Sequence, residues 1–270
     1  MSIVFPDPMK HPDWTPPQTK EFYERLVKES GSYAYPWKSE FDEPTAEIIF
    51  GRKLSSYITD SSQVLDVGCG HGDFLNKWAS QAKEAVGIDA VEGFIITANR
   101  CKPAGSFRFL TIDVDDGLPF SDHYFDVVYS KKGPWLFTER NREGSRVIKP
   151  GGAVLQFIHG GTDGGLRALF PGLYSPLNWN KDQAIQQLSD HLGLPDSGLS
   201  DIDIQVIEET EYLSTPEDVL IKKCFGQTKS LKEFVWRECF GGVEEIFNKH
   251  AAPRGLRVTN YYYIVTARSI

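Results

Sequence analysis

The sequence predicts a doubly wound α/β fold, with strands and crossover helices alternating around a mostly parallel sheet. Three observations carry this expectation. Residues 64–72, Val-Leu-Asp-Val-Gly-Cys-Gly-His-Gly, run from a short apolar strand into glycines at every second position. From residue 63 onward, strand-like and helix-like patterns alternate, as parallel strands joined by crossover helices require. Pro150-Gly151-Gly152 then marks a tight turn that feeds a further strand.

Residues 1–18 contain five prolines and two aromatics, and an irregular arm is expected there. The spacing of Phe22 and Leu26 predicts a helix over 18–30, and that of Ile48, Ile49 and Leu54 predicts one over 43–57. Between them lies an aromatic stretch with Tyr33, Tyr35, Trp37 and Phe41. Strands are expected at 63–67, 85–88, 107–112, 125–129 and 153–158, and helices at 73–82, 91–100 and 138–148. Residues 160–180, rich in glycine, proline and aromatics, read as a loop, followed by a helix over 181–192. Ile202, Ile204 and Val206 alternate and predict a strand over 202–213. Helices at 216–225 and 229–250 and a last strand at 256–267 complete the chain.

Bulk properties narrow the function classes. A net charge of −8 weighs against a chain that grips a phosphate backbone, because such binding rests on lysine and arginine clusters. No apolar run approaches the roughly 18 residues that span a bilayer. No basic-then-apolar leader opens the chain, so a cytoplasmic protein is expected. Cys69, Cys101, Cys224 and Cys239 lack CxxC spacing and read as reduced thiols, with no metal site implied.

The glycine loop points to a nucleoside-containing ligand, because glycine lets backbone and ligand approach where a Cβ would block them. A dinucleotide loop would read G-x-G-x-x-G, yet counting from Gly68 the third position is Asp73, too large for the close packing needed there. Asp89 ends the second strand, where a carboxylate can accept both hydroxyls of a ribose. Asp113 ends the third and can face an adenine amino group. Three acids, Asp66, Asp89 and Asp113, suit a ribose, an adenine and a cationic sulfonium better than a pyrophosphate.

With these motifs in place, the chain resembles the class I S-adenosylmethionine-dependent methyltransferases. The matching elements are Val64–Gly72, Val86–Asp89, Asp113-Val114, Leu118–Val128 and Arg146–Gly152, in that order, within residues 45–160. The resemblance implies a Rossmann-like, seven-stranded, mostly parallel sheet whose last strand is antiparallel, with added helical cap elements. It implies an arm and helical cap over 1–45 and a methyltransferase domain over 46–270, with substrate-side insertions near 160–200 and 214–252. It assigns S-adenosylmethionine to Asp66, Gly68, Gly70, Asp89, Asp113, Val114 and Ser130. Asp66 would order the loop or bind the amino group, Asp89 the ribose hydroxyls, Asp113 and Val114 the adenine, and Ser130 would lie near the methionine part.

Methyl transfer from a sulfonium is a direct displacement, and a base is needed only if the acceptor must lose a proton. His159, just beyond the fifth strand, is the candidate base. Lys131 and Lys132 follow the fourth strand and can attract a carboxylate or phosphate on the acceptor. Tyr33 and Trp37 can stack on a flat substrate. A small-molecule acceptor, methylated on oxygen or nitrogen, is the leading expectation. An RNA methyltransferase and a non-catalytic cofactor-binding module are the alternatives.

Overall fold

Five buried parallel strands set the frame, and their register explains both of its faces. The computed structural model describes residues 3–102, 104–138, 140–163, 165–176 and 180–270. In chain order the elements are α1 (Lys20–Ser30), β1 (Ser39–Phe41), α2 (Ala46–Ser55), β2 (Gln63–Val67), α3 (Asp73–Asn76), β3 (Glu84–Asp89), α4 (Glu92–Cys101), β4 (Phe107–Thr111), β5 (Phe125–Lys131), α5 (Glu143–Val147), β6 (Ile148–Asp163), α6 (Leu166–Leu169), α7 (Lys181–His191), β7 (Leu199–Leu213), α8 (Pro216–Lys223), α9 (Lys229–His250) and β8 (Leu256–Ser269). The sheet order is β1-β7-β8-β6-β5-β2-β3-β4. Strands β4, β3, β2, β5 and β6 pair in parallel, and β1 pairs antiparallel to β7.

The chain divides into two units. One comprises Ala46–His159, Asn180–Ile207 and Tyr262–Ile270, and holds the parallel strands. Here the row Ala85, Val64, Val127, Ala153 lies across four strands in register and faces the core that includes α2, α3 and α4. The next row, Val86, Leu65, Val128, Val154, faces the opposite core with Leu136, Phe137 and Val147. Near-continuous apolar runs are what a sheet covered on both faces demands. Phe50 of α2 is fully buried, stacking on Phe74 at 5.6 Å and Phe157 at 5.1 Å.

The other unit comprises Met1–Thr45, Gly160–Trp179 and Glu208–Tyr261. Its longest element, α9, places Leu231, Val235, Cys239, Val243 and Phe247 every fourth residue, and all five are buried. That stripe is one helical face. The Thr228 side chain caps its start by accepting from the Leu231 N–H. Helix α8 begins with a reciprocal capping box between Thr215 and Asp218.

Several elements differ from the sequence expectation. The sheet has eight strands, since Ser39–Phe41 adds a three-residue edge beside β7. Only three residues long and largely exposed, it carries no alternation to reveal it. The helix expected over 73–82 ends at Asn76. Lys77 and Trp78 bond three residues back, to Phe74 and Leu75, and a 3-10 turn follows at Ala79–Gln81. The helix expected over 138–148 is confined to Glu143–Val147. Asn141 holds it back, taking an N–H bond from Glu143 on its own side chain while its backbone turns on Thr138. The Pro150-Gly151-Gly152 turn is absorbed within β6: Phe125 pairs Ile148 but Val127 pairs Ala153, so the extra residues bulge out. Strand β6 also runs on to Asp163, and α6 forms within the expected loop. Residues 164 and 177–179 of that loop lie outside the described ones.

Among the described residues no helix is long and apolar enough to cross a membrane, and no cluster of His, Cys, Asp or Glu is placed to hold a metal ion.

Candidate active site

The parallel strands end in two polar rows. Asp66 of β2 lies opposite Gly87 of β3 and Tyr129 of β5. The Tyr129 hydroxyl donates to Asp66 Oδ2 at 2.8 Å. Asp66 Oδ1 is buried and has no partner among the described residues. Burial pushes this carboxyl up to about 7, against the downward pull of the Tyr129 hydroxyl and the Lys131 ammonium. One residue further along, Ser130 pairs with Gln156 of β6, and the Ser130 hydroxyl donates to the Val67 carbonyl at 2.8 Å.

The glycine loop is tied to β3 at three points. The Gly68 and Cys69 N–H groups both donate to the Ile88 carbonyl at 2.9 Å. The Gly70 N–H donates to Asp89 Oδ2 at 2.9 Å, while the Val91 N–H donates to Asp89 Oδ1 at 2.8 Å. Each Asp89 oxygen thus holds one backbone donor and retains acceptor capacity. Burial moves Asp89 above the ordinary carboxylate range, with the two amides opposing.

Gly70 and Gly72 both adopt left-handed backbone, at φ +55° and +83°, for different reasons. A methyl group at Gly72 would press on the Phe109 ring at 2.7 Å, so Gly72 serves packing. At Gly70 it would meet nothing within 4 Å. The loop therefore turns one open backbone face toward space that a ligand can fill. Gly68 is closed on its other side, where a Cβ would meet Pro134 at 2.9 Å and Gly133 Cα at 3.0 Å.

Asp113 is exposed and caps the 3-10 turn Val114–Asp116, its Oδ1 accepting from the Asp115 N–H at 3.1 Å. The Val114 carbonyl accepts from Asn141 Nδ2 at 3.3 Å. The Ile112 N–H donates to the Asp89 carbonyl at 3.0 Å, which joins the ends of β3 and β4.

The two lysines at the end of β5, Lys131 as its last residue and Lys132 just beyond, have different surroundings. Lys131 Nζ lies 2.8 Å from Glu47 Oε2 and 4.7 Å from the centroid of the Phe74 ring. Glu47 Oε1 also receives Lys77, at 2.8 Å. Burial alone would raise the Glu47 carboxyl, but the two lysines hold it at about 2. Lys132 has left-handed backbone at φ +62° and its ammonium lies 5.1 Å from the Tyr262 ring centroid. His159 is exposed and meets the same ring edge-on at 5.0 Å. So His159, Lys132 and Tyr262 come together, while Lys131 is drawn into the Glu47 pair.

Tyr33 and Trp37 belong to the other unit and sit in an aromatic cluster with Tyr35 and Phe225. Trp37 donates its indole N–H to Glu211 at 2.9 Å and lies against the Lys222 ammonium at 4.8 Å. Both of its polar resources are engaged inside that unit.

Sequence reasoning missed Glu47, Tyr129 and Gln156. Gln156 had a signal: it interrupts the apolar run Ala153–Ile158. Glu47 had none, because it reads as an ordinary solvated helix position.

Residues 65–156 match the family model described as a methyltransferase domain. Two curated relatives are malonyl-[acyl-carrier protein] O-methyltransferases. That of Erwinia billingiae (strain Eb661) is 31% identical over 110 residues, covering 39% of this chain and 43% of the relative. That of Buchnera aphidicola subsp. Baizongia pistaciae (strain Bp) is 33% identical over 95 residues, covering 34% and 37%. The chain thus spans less than half the length of the curated relatives it matches. A solved structure of a functionally unknown protein from Deinococcus radiodurans R1 shares the fold, with a TM-score of 0.62 and 21% identity over 93% of this chain and 100% of that one. The match to a methyltransferase domain thus spans β2 to β6, the parallel strands that carry the glycine loop and the acids at the strand ends.

Proposed function

We propose that the chain is an S-adenosylmethionine-dependent methyltransferase that acts on an oxygen of a small molecule. One observation carries the reading. Within the segment that matches the family, the glycine loop presents an open face at Gly70 while Asp89 holds that residue's amide.

The residues present fit the cofactor. Asp89 retains acceptor capacity on both oxygens for a pair of ribose hydroxyls. Asp66 Oδ1 is a buried acceptor in want of a donor, as an ammonium or an ordered water would be. Asp113, with one oxygen spent on its own turn, and the Val114 amide would hold the adenine. Ser130, bonded to Val67, keeps the ends of β2 and β5 together and would lie near the methionine part. When bound, S-adenosylmethionine supplies an electrophilic methyl group on a sulfonium.

The chain's own task is to hold the acceptor in line and exclude water. The relatives' name points to an acyl carboxylate as acceptor. A carboxylate is ionised at neutral pH and needs no base, only a cation to orient it. Lys132 and Lys131 supply cations at that strand end. His159 would take the proton of a hydroxyl acceptor instead.

Calorimetric titration with S-adenosylmethionine and with NAD tests the reading. S-adenosylmethionine should bind and NAD should not. Asp89→Ala should weaken S-adenosylmethionine by about tenfold or more, the worth of charge-assisted hydrogen bonds. Binding of NAD alone would end the methyltransferase assignment, and unchanged affinity in Asp89→Ala would end that residue's role. Methyl transfer from labelled donor to a malonyl thioester tests the acceptor class, and activity only on RNA would redirect it.

A further inference from the structure

Gln156 is 3% exposed and interrupts the run Ala153–Ile158 of β6, whose other residues are apolar. Its Nε2 donates to the Gly133 carbonyl at 3.1 Å, which fixes the orientation of the amide. Its Oε1 is buried with no partner among the described residues. A buried acceptor without a donor costs stability, and a leucine of similar volume would remove that cost. The glutamine therefore needs a reason beyond packing.

Gly133 supplies one. The residue is wedged between the ends of two strands: a Cβ there would stand 2.6 Å from the Val67 carbonyl oxygen, 2.8 Å from Ser130 Oγ and 3.1 Å from Gly68 Cα. In turn, Gly68 faces Gly133 and Pro134 so closely that it too has no room for a Cβ. Backbone lies against backbone, with no side chain between to absorb a shift. A displacement of Gly133 is passed to Gly68, and Gly68 is the first residue of the glycine loop. Gln156 grips the far side of that contact from β6, in register with Ser130, which grips the near side through Val67.

We propose that Gln156 is a positioning residue for the cofactor site: through Gly133 it presses the Lys132–Trp135 loop onto Gly68 and sets the glycine loop in its binding geometry. The inference rests on the methyltransferase reading above. It assigns to β6 a role in binding that acts without contact with the ligand.

The chain is titrated with S-adenosylhomocysteine by calorimetry, and its urea midpoint is measured in parallel. Gln156→Leu should weaken S-adenosylhomocysteine about tenfold, the worth of one well-placed hydrogen bond. The urea midpoint should change little, because the orphaned Gln156 acceptor has gone while the part-buried Gly133 carbonyl has lost its donor. Loss of affinity with retained stability is the signature that a purely structural role would not give. Gln156→Met provides a second variant of similar length with the same expectation. Gly133→Ala should weaken binding as well. Its effect should combine with Gln156→Leu less than additively, because both act through one contact. Unchanged affinity in both Gln156 variants overturns the proposal, as does a loss that only follows a fall in the midpoint, or failure of both variants to fold. A wild-type chain that binds no S-adenosylhomocysteine overturns the methyltransferase reading and this inference with it.

Discussion

Two buried carboxylates, Glu211 in one unit and Asp66 in the other, are treated in opposite ways. Glu211, 1% exposed, is met by Lys222 at 2.6 Å, Asn260 at 2.7 Å and the Trp37 indole at 2.9 Å. Burial alone would raise it, yet the Lys222 ammonium and these donors hold it below the ordinary carboxylate range. Asp66, 2% exposed, has the Tyr129 hydroxyl on one oxygen and no partner among the described residues on the other, and burial carries it up to about 7. Equal burial with unequal pairing separates two roles. A carboxylate with its hydrogen bonds satisfied is part of the scaffold. One left short, beside a loop with an open backbone face, still has an acceptor to offer.

The sharpest way to break the comparison is Lys222→Met. It strands a buried charge between two neutral donors, and the expected cost is about 3–5 kcal/mol in urea unfolding. A loss under about 1 kcal/mol would mean that Glu211 is not held as an ion pair, and the contrast would fail.

Asp66→Asn probes the other side. A carboxyl raised to about 7 binds a proton in the folded state that the unfolded chain has already released. Stability should therefore fall as pH climbs from the ordinary carboxylate range toward 7, by at most about 1.4 kcal/mol for each pH unit. Asp66→Asn, without cofactor, should flatten that slope between about pH 5 and about pH 7. Glu47, held at about 2, acts with the opposite sign and below this window: its contribution is lost only as pH falls toward 2. Identical slopes in wild type and variant would place Asp66 among the satisfied carboxylates.

The smallest effect separates two glycines. Gly70→Ala should cost about 1–2 kcal/mol, the strain of left-handed backbone alone. Gly72→Ala should cost about 1–3 kcal/mol more, because its methyl would be driven into Phe109. Cofactor affinity should suffer in Gly70→Ala beyond what its stability loss explains. Equal stability losses would show that Gly70 is as enclosed as Gly72.

Much of this was legible in the residues. Strand β2 and its glycine loop, the acid at the end of β3 and the stripe of α9 each follow from periodicity or spacing that needs no partner to be seen. The short helices α3 and α5 were overread, because side-chain and backbone bonds at Trp78 and Asn141 end or delay them against propensity. Strand β1 was invisible, since three edge residues take their conformation from β7. Lys131 and Lys132 looked equivalent as neighbours. They became different only when α2 brought Glu47 to one and β8 brought Tyr262 to the other.

By itself the sequence determined the alternating strands and helices, the glycine loop after β2 and the acids at the strand ends, because these depend on residue type and local spacing. Only the tertiary structure decided which buried polar groups are satisfied. Asp66 owes its partner to Tyr129, 63 residues away, and Gln156 owes its grip to Gly133, 23 residues away. Hydrogen-bond satisfaction is a property of packing between strands distant in sequence, and no pattern along one strand encodes it.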